Sequence, residues 1–594
     1  MTVEAKGWLN RIPDWAIFIS FCLLFTLELV HPLQQQSATF DEPANLVSGY
    51  LSLRFGNDRL IPQNLPLVKL VAAVPLLHGP DYAMPPAPKP WSAEAQYRYA
   101  SRFLYQLNGG DDLLLRGRLA LLLPAFLLGW GVFLWAKQLF GRTTAVFALL
   151  VYAVEPNVLG HSALITTDIA TACFMFWTLF GWHHLLQSVT WTRVVLSGLS
   201  LGLALISKFT ALTLIPILLL TGMLAAIGCA HPLQIRLRGL TFQTVVSVPR
   251  KLLVLCMLIA GLGAVGLTVI WAGYRFSYQS AVTPIPTYPT PWEHSVPASL
   301  IQQRLITLAR DARLVPEAYI YGLAHQLKIG GTHEAYLMGD IRSGGWWYYF
   351  LVTLGVKTPV PLLLALILAI PLGWMYWRNN SLAFVCLLGP IALYFIQISS
   401  SGWNIGHRHL LPILPLLILI VSSLCWWAIG RRIQTRLCLA GLLSWYVLSS
   451  IFVHPHYLAY FNEIAGGPNN GHQYLVDSNL DWGQDLKGLK RYMDEQGIDR
   501  IWLSYFGQAS PEYYGIQYDY LPSFDIFDPK NVDPSVFRIA ALPPLPGTVA
   551  ISATLLQGGA LQTVYGLGSG YFEYYRKLTP VAKIGYSIFV YRPD

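Results

Sequence analysis

The sequence predicts an α-helical polytopic membrane protein of about eleven transmembrane helices, with a small α/β extracytoplasmic domain at the C-terminal end. Three observations carry this: scarce charge, a succession of long apolar runs, and a change of character after residue 453. Only 12% of the 594 residues are charged and 54% are hydrophobic, with a mean hydropathy of +0.45. A soluble chain carries roughly 25% charged residues.

A span needs roughly 20 mostly apolar residues. Such runs cover 14–33, 117–138, 143–160, 166–187, 192–207, 209–229, 252–273, 351–376, 381–399, 409–428 and 437–453. The pairs at 143–187 and 192–229 also fit re-entrant or tilted segments. Orientation follows from the basic residues of the short loops. Lys6 and Arg11 precede the first run, Lys137 and Arg142 separate the second from the third, and Arg193 follows the fourth. Arg236, Arg238, Arg250 and Lys251 lie before the seventh, Arg378 follows the eighth, and Arg431, Arg432 and Arg436 precede the eleventh. Every second loop is basic, so the N-terminus is expected in the cytoplasm of a multi-pass protein of the plasma or inner membrane. The formal charge of +9 then serves topology, and nucleic acid is not an expected partner. The first run lacks a small-residue cleavage site and reads as a span, not a removed signal.

The outward segments are then 34–116, the stretch around 155–167, the turn at Lys208, 274–350, 400–408 and everything after 454. This divides the chain into a membrane domain, 1–453, and an extracytoplasmic domain, 454–594. In the latter, SNLDWGQDLKGLKRYMDEQG has helical spacing, and IWLSYF, TVAISATLL and YSIFVYRP read as strands. The seven cysteines fall in or beside apolar runs without a CxxC pair; they read as small buried hydrophobes.

Asp41 and Glu42 stand where the first span ends. One reading is a helix start, with Glu42 as cap and Pro43 in the first turn. Val47, Tyr50, Leu51 and Arg54 would then share one face of a helix lying in the interface. A second helix over 65–77 would carry Lys69. The other reading is a shared outward site. Glu155, His161 and Asp168 reach the same side from one loop, Lys208 from another, and His407, Arg408 and His409 from a third. The long loop adds His333, Glu334, Asp340 and Arg342. Ionisable residues near a bilayer mark functional cavities more often than surfaces.

Carboxylates in this set can accept a proton, and Arg, Lys and His can hold a phosphate. GxxxxGK[ST], GxSxG and HExxH are absent. GHRH lacks the i, i+4 pair of a helical zinc site. Transfer from a lipid-phosphate-linked sugar suits the inventory. The leaving phosphate is already a stable anion, so one carboxylate base and cations around the phosphate suffice. A hydrolase would need two matched carboxyls.

FDEPANL, NLPLVKL and the TTD at 166–168 together resemble the PMT-like branch of the GT-C glycosyltransferases (glycosyltransferase family 39). Its members include protein O-mannosyltransferases, and the lipid A aminoarabinose transferases are related. ISKFT, GGWWYYFLVTLGVKTPVPL and GHRHLLPILP resemble further segments of bacterial members, and DSNLDWGQDLKGL resembles a recurring segment of their tails. The resemblance implies a GT-C fold and an inverting transferase that uses a polyprenyl-phosphate sugar. It puts the base on Asp41, with Glu42 as its acidic neighbour, and the second acid on Asp168. It assigns the donor phosphate to Lys69, Lys208 and Arg408, flanked by His407 and His409. Arg54 beside the membrane is a further candidate for the phosphate. His161, Glu155 and Tyr50 are candidate acceptor or donor contacts. No metal ligand is assigned and no cofactor is required, a divalent metal being left open. The partners implied are the donor lipid, membrane lipids and an unknown acceptor. One departure stands out: the family's HPPLxK is NLPLVK here, with Asn64 and Leu65 replacing His and Pro. A transporter or lipid flippase with a charged outward cavity is the alternative from another class, and an O-antigen ligase or polymerase is a third.

Overall fold

The computed structural model describes the chain except residues 1–10, 90, 230–231, 237–242, 298, 331–332, 524–538, 560, 562–564 and 594. Lys6 and Arg238, two of the basic loop residues, lie outside the described residues. Helices dominate. Among the described residues five are long and apolar enough to cross a membrane: Asp14–Gln35, Gly110–Phe140, Phe209–Gly228, Val248–Gly273 and Ser381–Ser399. Two bent pairs raise the count to seven, fewer than the eleven apolar runs. The run 192–207 forms the shorter helix Trp191–Leu205, and the run 409–428 starts as a 3-10 turn, His407–Leu410, before the helix Leu414–Ile429. Outward faces such as Leu23, Leu27, Met257 and Ile367 are apolar and exposed, the surface a bilayer covers. Cys256 and Cys438 are exposed as well. The expectation that all seven cysteines are buried is corrected there, because an apolar stretch of a membrane helix faces lipid as well as core.

Asp14 pairs with both Lys137 and Arg142, so the start of the first helix and the loop between 117–138 and 143–160 lie at one end. The bent pairs meet in the interior. Arg142–Ala153 and Pro156–Ser162 turn through 62°, and Tyr349–Lys357 and Val360–Leu372 through 111°. Backbone freed at such breaks must find partners within the protein. Glu155 caps the second half of its pair by accepting from Val158 N at 2.6 Å. Asn157 Nδ2 donates to Glu155 Oε1 and, at 2.8 Å, to Lys357 O in the other break. Lys357 Nζ donates to Leu458 O and Asn479 O, at 2.9 and 2.6 Å.

The helix expected after Asp41 is present as Glu42–Phe55, and the second as Pro66–Ala73 continued by a 3-10 turn, Val74–His78. Neither Asp41 nor Glu42 caps through its side chain; Asp41 occupies the capping position and Pro43 the first turn. The expected interfacial face is not found. Residues Glu42 through Ser52 are buried all round, because the helix Pro66–Ala73 packs against one side and Ala93–Ser101 against another. Gly49 permits that approach: a Cβ there would sit 1.9 Å from the carbonyl oxygen of Lys69.

The tail forms a five-stranded sheet in the order Tyr518–Tyr520, Ile501–Ser504, Val549–Ser552, Ile588–Tyr591, Ala582–Ile584. The first three strands are parallel, and Ile588–Tyr591 runs antiparallel to both neighbours. The helix Leu486–Glu495 covers only half of the stretch expected to be helical, its start being the 3-10 turn Asp477–Asn479. Leu475, Leu480 and Trp482 join one hydrophobic core with the membrane helices.

Candidate active site

Asp41 opens onto a cavity of about 920 Å³ between the membrane helices and the tail, a size within the usual range for small-molecule sites. The approach to Asp41 is held by the tail. Phe40 N donates to Trp482 O and Ser37 N to Gln484 O, both at 2.9 Å. Ser37 Oγ donates to Gly483 O at 2.9 Å and accepts from Leu486 N at 3.2 Å. Residues 37–40 thus lie along 482–486 like an added strand.

Arg408 joins two acids. Its Nη1 is 3.6 Å from Asp41 Oδ2 and 3.6 Å from Asp168 Oδ2, and its guanidinium lies 4.3 Å from the Trp482 ring centroid. Lys208 Nζ donates to Asp168 Oδ1 at 2.7 Å. Burial works against the Arg408 charge, but Asp168, Asp41 and Asp477 more than offset it and hold the guanidinium charged. Burial likewise lowers the Lys208 ammonium, while Asp168 opposes the shift. The Asp41 carboxyl is pushed above the ordinary carboxylate range, first by burial and then by the charges of Asp168 and Asp477; Arg408 and Lys208 pull it down. Its side chain keeps 24% of its surface accessible, and Asp41 is one of the residues that line the cavity.

Asp41, Lys208, Arg408 and His409 line the cavity, and Asp168 stands behind Lys208 and Arg408. His409 Nε2 is buried with no hydrogen-bond partner among the described residues. His333 and Glu334, on the hairpin Glu334–Leu337 and Asp340–Ser343, line another side. Asn64, at the departure from the family pattern, lines it too and donates to Asn45 Oδ1 at 2.8 Å.

The remaining candidates are placed elsewhere. Glu42 is fully buried and accepts from Arg118 Nε and Nη2, Thr39 N and Oγ1, and Ile165 N. It is a structural anchor. Lys69 is buried away from the cavity and donates to Ile61 O at 3.1 Å; burial lowers its ammonium to about 8. Arg54 makes an exposed ion pair with Asp81. Tyr50 sits among the rings of Phe55, Tyr82 and Phe103. Glu155 is the cap at the helix break. His161 is buried, 6.3 Å from the Trp482 ring, and His407 is buried with its backbone N donating to Asn479 Oδ1 at 2.8 Å. Among the described residues, no group of three or more His, Cys, Asp or Glu side chains is placed to hold a metal ion.

Lys69→Met keeps volume and leaves the buried Ile61 carbonyl without its donor, at a cost to stability of about 1–3 kcal/mol, but Lys69 does not line the cavity. The expected result is that affinity for polyprenyl phosphate, the ligand the family resemblance implies, stays within about twofold of the wild type, read by titration in nanodiscs. A loss of ten times or more would return Lys69 to the donor site.

Two residues that sequence reasoning passed over line the cavity: Asp477 and Trp482. The only signal in the sequence was the DSNLDWGQDLKGL segment, which carried a resemblance but no chemistry.

Apolar helices that can cross a bilayer, enclosing a cavity of paired charges, define a multi-pass helical membrane protein with a polar pocket. In sequence, residues 97–248 match the model of a family described as dolichyl-phosphate-mannose-protein mannosyltransferase. That segment holds Asp168 and Lys208 and lies between Asp41 and Arg408. The match supports the PMT-like, GT-C resemblance, of whose segments the TTD at 166–168 and ISKFT lie inside it. No curated protein matches the chain. Similar solved structures include ArnT from Cupriavidus metallidurans bound to undecaprenyl phosphate, 13% identical over 97% of both chains, TM-score 0.44. Another is the oligosaccharyltransferase AglB from Archaeoglobus fulgidus with an inhibitory peptide and a dolichol-phosphate, 13% identical over 97% of this chain and 73% of that one, TM-score 0.44. At these scores neither likeness carries any step below.

Proposed function

We propose that the chain is an inverting glycosyltransferase that moves a sugar from a polyprenyl-phosphate-linked donor to an acceptor hydroxyl on the extracytoplasmic face of the plasma or inner membrane. The observation that carries this reading is the Asp41 carboxylate open to a cavity that Arg408 and Lys208 also line, with Arg408 beside it. Asp41 takes the proton of the acceptor hydroxyl as its oxygen attacks the anomeric carbon. The bond from that carbon to the phosphate oxygen breaks on the opposite face, and the configuration inverts. Arg408 and Lys208 stabilise the charge that gathers on the departing phosphate. Asp168 holds both cations in place. His409 lines the same wall as a further phosphate contact.

The donor sugar and the acceptor are best found by mass spectrometry of glycans and lipids from a deletion strain. The product missing from that strain names both. Purified protein in nanodiscs should then release polyprenyl phosphate from the matching donor only when the acceptor is present. Lipid moved between leaflets with no covalent product would replace this reading with a flippase.

A further inference from the structure

The segment between the helices Val248–Gly273 and Tyr349–Lys357 carries a helix, Leu300–Asp311, whose apolar side chains face away from the protein. Leu300, Ile301, Leu305 and Leu308 keep 70, 73, 62 and 64% of their surface exposed. At about 100° per residue they share an arc of about 140°. Ile306, on the opposite side, is buried with Ile320 and Ala324 of the helix Glu317–Ile329. An apolar stripe of this width belongs against a core or a partner. The neighbouring membrane helix indicates which. Leu253, Met257 and Leu267 are exposed along one face of Val248–Gly273, and Trp271 stands on that face, about five turns beyond Leu253. Trp271 Nε1 donates to Leu314 O at 3.1 Å. The chain just past Leu300–Asp311 is therefore tied to the outward apolar side of a span, at its end. That end is the cavity's: a Cβ on Gly273 would lie 3.4 Å from Ile206, two residues before Lys208.

We propose that Leu300–Asp311 is a membrane-docking helix, its apolar face set into the interface of the lipid leaflet on the cavity's side. Arg304 decides between lipid and protein as the occupant. It is exposed within the apolar arc. A protein surface pressed onto that face would have to bury the charge or pair it. At a bilayer the stem lies along the apolar neighbours while the guanidinium reaches phosphate headgroups. Such helices rest at the boundary of headgroups and acyl chains. The docked helix also bears on the pocket. It supplies Gln302 to the cavity wall, and the helix packed against it supplies Leu323 and Gln326. The lipid surface thus supports one wall of the cavity. The inference stands whether or not the proposed chemistry does.

The test uses the full chain in phosphatidylcholine nanodiscs, with Cys22→Ala, Cys256→Ala and Cys438→Ala leaving only an introduced thiol accessible. Ile301→Cys, Leu305→Cys and Leu308→Cys each carry a bimane label, and Glu495→Cys, exposed on the tail, is the reference. Three quenchers are compared: iodide in the water, lipid with a nitroxide near the top of its acyl chain, and lipid with a nitroxide at the chain end. The expected result is quenching by the upper nitroxide about threefold or more above the tail label, as insertion by about 5–10 Å predicts. Iodide should quench the three labels less than it quenches the tail label. Quenching by iodide equal to that of the tail label overturns the inference. Quenching strongest at the chain end puts the face at mid-bilayer and overturns it as well. Discs are loaded with one chain or two. Protection from all quenchers, or lipid quenching lost when two chains share a disc, assigns the face to protein and also overturns the inference.

Discussion

Asp41→Asn abolishes sugar transfer while donor lipid still binds. The substitution keeps shape and removes the carboxylate beside Arg408 that takes the acceptor's proton. General-base contributions are typically 10²–10⁴-fold, and a transfer rate lowered by about that factor is the expected outcome. Binding should hold or tighten, because Arg408 and Lys208 remain and a negative charge beside the phosphate is gone. Radiolabelled donor and a filter assay separate the two quantities; full activity in the variant would remove Asp41 from the mechanism. The pH dependence carries a second signature. A base works when deprotonated, so activity falls as pH drops through its pKa. With the Asp41 carboxyl raised by burial and by Asp168 and Asp477, the acid limb of kcat/KM should lie above the ordinary value of about 3.9. Arg408→Gln removes the charge that lowers Asp41, and should move that limb higher still.

Glu42→Ala is expected to cost the fold rather than the chemistry. Arg118 Nη2 lies 2.6 Å from Glu42 Oε2, and both side chains are almost wholly buried. Removing one partner of such a pair leaves an uncompensated buried charge, at about 3–5 kcal/mol. The loss reaches both acids of the site, since Glu42 also accepts from Ile165 N, three residues before Asp168. Thermal melting in detergent should fall sharply, and the variant should lose transfer and donor binding together. Glu42→Gln keeps the acceptor oxygen and should lie between. A well-folded Glu42→Ala that binds donor would show that the pair is not a structural anchor. The two neighbours of the DE dipeptide thus separate cleanly: one loses rate, the other loses structure.

How much of this could be read in the sequence depends on the kind of contact. Apolar runs and basic loops were enough for a multi-pass helical chain, because partitioning into a bilayer depends on composition. The breaks at 154–155 and 358–359 were less visible, since Pro156 and Pro359 disfavour continuation but do not say how far a helix turns. Asp41, Lys208, Arg408 and His409 line one cavity, and their loops could be grouped from the sequence because apolar runs and basic loops put them on one side. Side of the membrane is too coarse, however, to say which way a side chain points. Lys69 and Glu42 share that side and face inward to protein. Tyr50 and Arg54 were placed on an interfacial face by spacing, and the packing of two neighbouring helices buried Tyr50 while leaving Arg54 in an exposed ion pair. Asp477 was out of reach for another reason: it reaches the cavity through a chain reversal at positive φ and through a tail whose residues 482–486 lie against residues 37–40, more than 400 positions away in sequence.

That long-range contact has a consequence for the order in which the protein becomes competent. Ser37 and Gly483 are 446 residues apart, yet the main chain before Asp41 is laid against residues 482–486. During synthesis at about 5–20 residues per second, the first loop waits tens of seconds for its other half. Until the chain has been made past residue 486, the wall that carries Trp482 and Asp477 does not exist. A growing chain therefore lacks a complete cavity until its tail has been made.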